Sequence, residues 1–485
     1  MQKENMAYKC GGYLTVYLAL TMAVLLSLCL TLIEGVRRNT AALETECIVS
    51  IGMNSVMAEY HRELFHLYNL FAIDSSYGTN MAGKANTERH LRHYLERNMS
   101  MEDVLLGELL YRDFLGLTVA ELELTGVSIL TDEHGGVFRR RAVEAVKDDV
   151  NIELLRELWE WTRVVELKGL EQRDIYGEKQ EIDRQIQEYN GKEVQTPEGG
   201  TVIVEINNPT LVLEENRSKG ILGLITENPE TISQRKINLE SLISERIELG
   251  NVNQGNGNGD KEGKLDRFFF CEYLVRYMGH FGAEKDSGAL AYQLEYLIAG
   301  KDNDTENLKN VVNRLLLLRE AANAMYLFSD STKCSEAEAL AAVIATLLQV
   351  PEITDLLKIT ILLGWAYAES VYDVKTLLAG GRIELIKDEE AWHFGLQGAL
   401  QTGSITGGTD ETRGLSYEDY LRIFIMFTNK ETLTGRAMDM VEADIRRTPG
   451  NEQFRLDGCL DGIEADILVR SSYGYEYEIV RRKKY

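Results

Sequence analysis

Within GGYLTVYLALTMAVLLSLCLTLIEGVRRNT, the stretch from Tyr13 to Ile33 carries no formal charge for 21 residues and closes on Glu34, Arg37 and Arg38. At about 1.5 Å of rise per residue, a helix of that length matches the roughly 30 Å hydrocarbon layer of a bilayer. A cleaved secretory signal needs a shorter apolar core, about 7 to 15 residues, with a small-x-small site close behind. Here the run is longer and leaves into IEGVRRN, so a retained transmembrane helix over residues 13–33 is expected, behind a short leader of residues 1–12. A lipoprotein anchor is not expected, because Cys10 precedes the run. Lys3 and Lys9 before the span nearly balance Arg37 and Arg38 after it. The short leader then favours an N-terminus inside and the bulk of the chain extracytoplasmic, since large following domains translocate largely regardless of charge.

No second stretch does the same. EALAAVIATLLQVPEITDLLKITILLGWAYAES is interrupted by Pro351, Glu352, Asp355 and Lys358, and reads as two buried helices of a folded core. Asp and Glu number 77 against 52 Lys and Arg, a net charge of −25, which repels nucleic acid and argues against it as a partner. Six cysteines without a C-x-x-C pair make neither a disulfide framework nor a zinc-finger pattern. Five prolines in 485 residues, with Leu, Glu, Ala, Arg and Lys dominating long stretches, predict a mainly α protein with some β structure (α+β).

Beyond the span, residues 34–82 read as an amphipathic stem. Tyr60, Leu64, Leu67 and Phe71 step by four, three and four and so share one helical face, a candidate docking face. Residues 83–249 read as a mixed α+β region. Ala120, Leu122 and Leu124 alternate with polar neighbours as in a half-buried strand, and GGTVIVEINNP reads similarly. Between them, Leu154, Leu158, Trp161 and Val165, then Ile175, Ile182, Ile186 and Tyr189, predict a long helical hairpin. Residues 250–264, rich in Gly and Asn, read as a linker. Residues 265–450 predict an α-helical domain, with Ser416 capping one of its last helices. Residues 451–485 predict a β-hairpin turning at Ser471 to Gly474 and ending in the basic tail Arg481 to Lys484.

Chemistry-bearing motifs are scarce. His90 and His93 form H-x-x-H, which has two of the ligands zinc requires and reads better as solvated or capping. Asp302, Asp304 and Glu306 alternate like part of a calcium loop, but the sixth-position Gly and the terminal Glu are missing. The plainer reading is that Asn303 caps the next helix and Glu306 completes a capping box. No phosphate loop, nucleophile elbow or dinucleotide fingerprint appears, so no catalytic, cofactor-binding or metal-ligating residue and no cofactor is assigned. Trp159, Trp161, Trp365 and Trp392 read as core.

Gly12, the run Tyr13–Ile33, Glu34 and Arg37 together resemble the amino-terminal signature of TadE- and TadG-like proteins of tight-adherence pilus systems. More broadly, the same block with GMNSVMAEYHRELFHLYNLFAID, LEYLIAGKDNDTENLKNVVNRLLLLREAANAMYLFSD, WAYAESVYDVKTLLAGG and LSYEDYLRIFIMFT resembles a bacterial family of single-span proteins of unknown function found beside such pilus genes. The resemblance implies leader processing between Gly12 and Tyr13. Against that, cleaved pilins of this class carry Glu at the fifth position after the glycine, where this chain has Tyr17. The implied function is that of a noncatalytic, membrane-anchored extracytoplasmic protein, a minor pilin-like or assembly component. Its partners would be the lipid bilayer and pilus or secretion-machinery proteins. The alternative is an extracytoplasmic enzyme or sensor with its site in the helical domain.

Overall fold

The computed structural model describes residues 4–79, 81–100, 115–195, 201–203, 206, 223, 229–246, 263–401, 407–408 and 413–485. The chain is mostly helical (62%), with a small antiparallel sheet, as its composition predicts. It divides into two compact units, neither of which is continuous in sequence. The linker expected at 250–264 lies outside the described residues except for its last two.

The first unit takes residues 1–66, 70–132 and 455–485. Helix α1 (Glu4–Met57) runs unbroken for 54 residues. Its last third buries Ala41, Thr45, Ile48, Val49, Met53 and Val56, a three-and-four spacing that keeps one face on the core. Helix α2 (Arg62–Tyr68) lies at the end of this unit's first segment. Strand β1 (Ile73–Asp74), helix α3 (Lys84–Met99) and strand β2 (Leu117–Ile129) follow. The C-terminal strands β5 (Cys459–Ser471) and β6 (Glu476–Lys484) form the expected hairpin. β5 is the central strand, pairing antiparallel with β1, β2 and β6. α1 and α3 pack together, α3 lies on β2, and α1 lies on β6. Leu91 and Leu95 of α3 meet Leu122 and Leu124 of β2 and Ile463, Ala465, Ile467 and Val469 of β5 in one core.

Ala120, expected to face inward with Leu122 and Leu124, is exposed. The pairing of β2 with β5 slips between Val119 and Glu121, and the extra residue of that bulge is left outside the alternation.

The second unit takes residues 67–69 and 133–454. Its helices are α4 (Asp132–Val146), α5 (Ile152–Lys168), α6 (Ile175–Gln187), α7 (Lys264–Tyr277), α8 (Gln293–Ala299), α9 (Asp304–Ser329) and α10 (Ser331–Leu347). They continue with α11 (Thr354–Leu378), α12 (Leu396–Gln401), α13 (Tyr417–Phe427) and α14 (Lys430–Arg446). A two-stranded ribbon, β3 (Glu193–Gln195) with β4 (Thr201–Ile203), is attached. α11 is central and packs on α9 and α10. The helices read as a hairpin follow each other across residues 169–174, α5 packing on α13 and α6 on α9 and α11. Asn303 caps α9 through the Glu306 amide at 2.9 Å, and Ser416 with Asp419 closes a capping box on α13.

Candidate functional site

Two features go beyond ordinary packing, one in each unit. In the first unit it is the apolar part of α1. Tyr13 is 80% exposed, and the large apolar side chains from Leu14 to Val36 that surround the helix are each more than half exposed. Water penalises such a surface, whereas hydrocarbon does not. Two polar groups inside the run are satisfied within the helix: the Thr21 hydroxyl donates to the Leu18 carbonyl at 2.9 Å and the Thr31 hydroxyl to Leu28 at 2.8 Å. Among the described residues, this is the one helix long and apolar enough to cross a membrane.

Where charge returns to α1, the C-terminal hairpin grips it. The Arg37 guanidinium pairs with Glu34 at 3.5 Å and lies 4.1 Å over the Tyr473 ring. Tyr477 donates its hydroxyl to the Arg38 carbonyl at 3.0 Å, and Tyr485 donates to the carbonyl of Met57 at the helix end. Each such contact contributes about 0.5–1.5 kcal/mol. Together they bracket the folded third of α1 at both ends.

In the second unit, α9, α11 and the irregular segment that follows α11 bring four buried charges together. Arg319 donates to Asp373 Oδ2 at 2.9 Å and, through the same guanidinium, to the carbonyls of Glu384 and Leu385 and to Tyr420 Oη. Lys387 places its ammonium between Glu369 and Asp373, 2.6 Å from Asp373 Oδ1. Glu369 also accepts from the backbone amides of His393 and Phe394 at 2.9 and 3.0 Å. Burial and the neighbouring Asp373 charge raise the Glu369 carboxyl above its usual range, against the pull of Lys387. Burial alone would also raise Asp373, but Arg319 and Lys387 outweigh it and hold that carboxyl low. Two cations and two anions balance, and they pin the irregular segment 384–394 onto the central helices. The arrangement is a closed internal brace.

A second polar group ties α7 and the residues just after it to α13. Arg422 bonds Glu272 at 2.8 Å, Glu418 at 2.6 Å and Asp419 at 3.1 Å. His280 faces the Phe281 carbonyl with Nδ1 at 2.8 Å and the Glu418 carboxylate with Nε2 at 3.2 Å. Both neighbours are acceptors, an arrangement that favours the doubly protonated ring. Burial opposes that charge, but the bond to Glu418 prevails and raises the His280 pKa. The same bond, with Arg422, pushes the Glu418 pKa down to about 2.

Of the residues singled out by sequence, Gly12 and Tyr13 lie inside α1. Tyr60, Leu64, Leu67 and Phe71 do not share a helix face: α1 stops at Met57, Leu64 and Leu67 are in α2, and Tyr60 and Phe71 flank it. Leu64 is fully buried, and the Tyr60 and Phe71 rings meet edge to face at 5.0 Å. His90 is held by Glu59 at 3.1 Å and stacks on Tyr77 at 3.8 Å, while His93 is exposed. Asp304 accepts from the amides of Ala291 and Tyr292 and from the Ser233 hydroxyl, which fills the place of a calcium ligand. No group of three or more metal-ligating side chains converges among the described residues. Trp365 is buried, Trp159 is 39% exposed, and the basic tail is the last part of β6.

The buried brace was not foreseen. Its trace in the sequence is Arg319, Glu369 and Asp373 placed on helices that are apolar on more than one face, where a charge must find a partner. Residues 201–471 match the model of a family of unknown function, DUF5702. No curated protein matches the chain, and no solved structure does. None of these comparisons connects it with tight-adherence pili.

Proposed function

The chain belongs to the DUF5702 family of unknown function, and from that premise we propose that it is a noncatalytic single-pass membrane protein whose folded units lie outside the cytoplasm. The observation that carries this reading is the exposed, uncharged surface of α1 from Tyr13 to Ile33, continuous with a helical segment locked into a folded core. The finer assignment, a minor pilin-like or assembly component of a tight-adherence pilus, rests on the likeness of Gly12, the span, Glu34 and Arg37 to TadE- and TadG-like amino termini. Tyr17 in place of an acidic residue favours an assembly role over a polymerising subunit. Leu64 is fully buried and is not offered as a partner surface.

The test is fractionation of cells producing the full chain or a variant lacking residues 13–33. The full chain should stay with membranes through carbonate extraction and be cut by protease added to intact cells, and the deletion should release it. Full-length protein recovered in the soluble fraction would overturn the anchor, and protease resistance would overturn the orientation. Unchanged surface filaments and adherence after gene deletion would overturn the pilus assignment.

A further inference from the structure

The height at which the C-terminal hairpin meets α1 is informative once α1 is taken as the anchor, and the inference rests on that reading. The uncharged run ends at Ile33. Arg37 follows four residues later, about 6 Å further along the axis. The headgroup layer on each side of a bilayer is about 5–7 Å deep, so Arg37 falls within it. The Tyr473 ring lies 4.1 Å from the Arg37 guanidinium and therefore sits at the same height.

The rest of the hairpin rises away from that level. Tyr477 is tied to Arg38 and Tyr485 to Met57. The intervening 19 residues of helix rise about 28 Å and the eight steps of strand about 27 Å, so β6 and α1 run side by side. Of the hairpin, the turn, residues 472–475, comes nearest the level of the headgroups.

The turn is also built to stay there. Ser471 and Ser472 donate their hydroxyls to the Leu115 carbonyl at 2.7 and 3.3 Å, and the Ser472 amide donates to the Gly116 carbonyl at 2.9 Å. Gly116 holds φ +53°, and a Cβ there would lie 2.5 Å from the Ser472 hydroxyl, so the close approach needs glycine. Despite these ties Tyr473 remains 46% exposed. A tyrosine with an apolar ring and a polar tip beside an arginine that can extend toward phosphate is the pairing found at membrane–water interfaces.

We infer that the turn of the β5–β6 hairpin, led by Tyr473 with Arg37, rests in the lipid headgroup layer and seats the sheet unit upright on the membrane. The partner is the bilayer surface itself, and its recognition depends on depth rather than on a particular headgroup, since Arg37 is offset by Glu34 and Arg470 by Glu476.

The full-length protein is reconstituted into phosphatidylcholine vesicles containing a lipid brominated near the headgroup. Tyr473→Trp and Val480→Trp are each compared with the unsubstituted chain, both positions being exposed. Val480 lies seven residues along the chain from the turn, about 23 Å if fully extended. The emission added by Tyr473→Trp should be quenched by the brominated lipid and that added by Val480→Trp should not. Equal response of the two reporters in vesicle-bound protein, quenched or unquenched, would overturn the inference while leaving the anchor intact. Failure of the chain to float with the vesicles would overturn both.

Discussion

Lys387 carries its ammonium into a buried site between Glu369 and Asp373, and Arg319 closes the group from α9. Removing one member strands the others, which costs about 3–5 kcal/mol for a buried pair. Lys387→Ala should therefore lower the stability of the helical unit by about that much, whereas Lys358→Ala, which breaks the more exposed Lys358–Glu338 pair, should cost under about 1 kcal/mol. Urea unfolding read by tryptophan emission checks this. Trp365 and Trp392 both donate to the Phe394 carbonyl at 2.8 Å, within the segment that Lys387 pins. Equal effects of the two substitutions would mean the brace contributes nothing beyond a surface pair.

His280 gives a pH-dependent counterpart. Its folded pKa is raised above the ordinary value near 6.5, so its contribution is fully present below that value and fades as pH climbs through the raised one. Glu418 is depressed to about 2, so its contribution is present above the ordinary carboxylate range and is lost only as pH falls toward 2. The pair therefore works best between the two ordinary values. The Tm advantage of the unsubstituted chain over His280→Asn should be larger near pH 5.5 than near pH 8.5. A difference that does not vary with pH would mean the ring is neutral and only fills space.

At the scale of elements, α1 shows what sequence can and cannot reveal. The run Tyr13–Ile33 announces the helix, and the caps Asn303 and Ser416 lie where side-chain chemistry puts them. The end of α1 is silent by comparison, because residues 58–61 include neither Gly nor Pro and the four-three-four spacing runs straight through them. Tertiary contacts end it instead. Glu59 accepts from Tyr94 at 2.8 Å and meets His90 of α3, the His61 amide donates to the Ala72 carbonyl, and His61 Nδ1 receives the Leu64 amide to start α2. The bulge that turns Ala120 outward is equally hidden, since it arises from pairing with a strand more than 330 residues away. The brace was visible only as charges stranded on apolar helices. Which charge meets which depends on the packing of α9 against α11 and on the irregular segment that delivers Lys387.

For the molecule as a whole, the chain's last residues complete its first unit. β5 is the strand with which β1, β2 and β6 all pair, and Leu460, Ile463, Ala465, Ile467 and Val469 supply its share of the core that covers α1. Such a sheet cannot close until β5 has been made, and its strand pairing has a long loop to close. The helical unit draws no strand from that sheet; its own core is centred on α9 and α11. Truncation after Phe454 should therefore strip the first unit of its central strand and leave β1 and β2 without a partner. Limited proteolysis of the membrane-bound chains should then cut within residues 41–132 much sooner in the truncated chain than in the intact one, while fragments from residues 133–454 appear and persist alike in both. Persistence of 41–132 after truncation would show that α1, α3 and β2 hold a core without β5. Simultaneous loss of both units would show that the helical unit depends on the sheet for its stability.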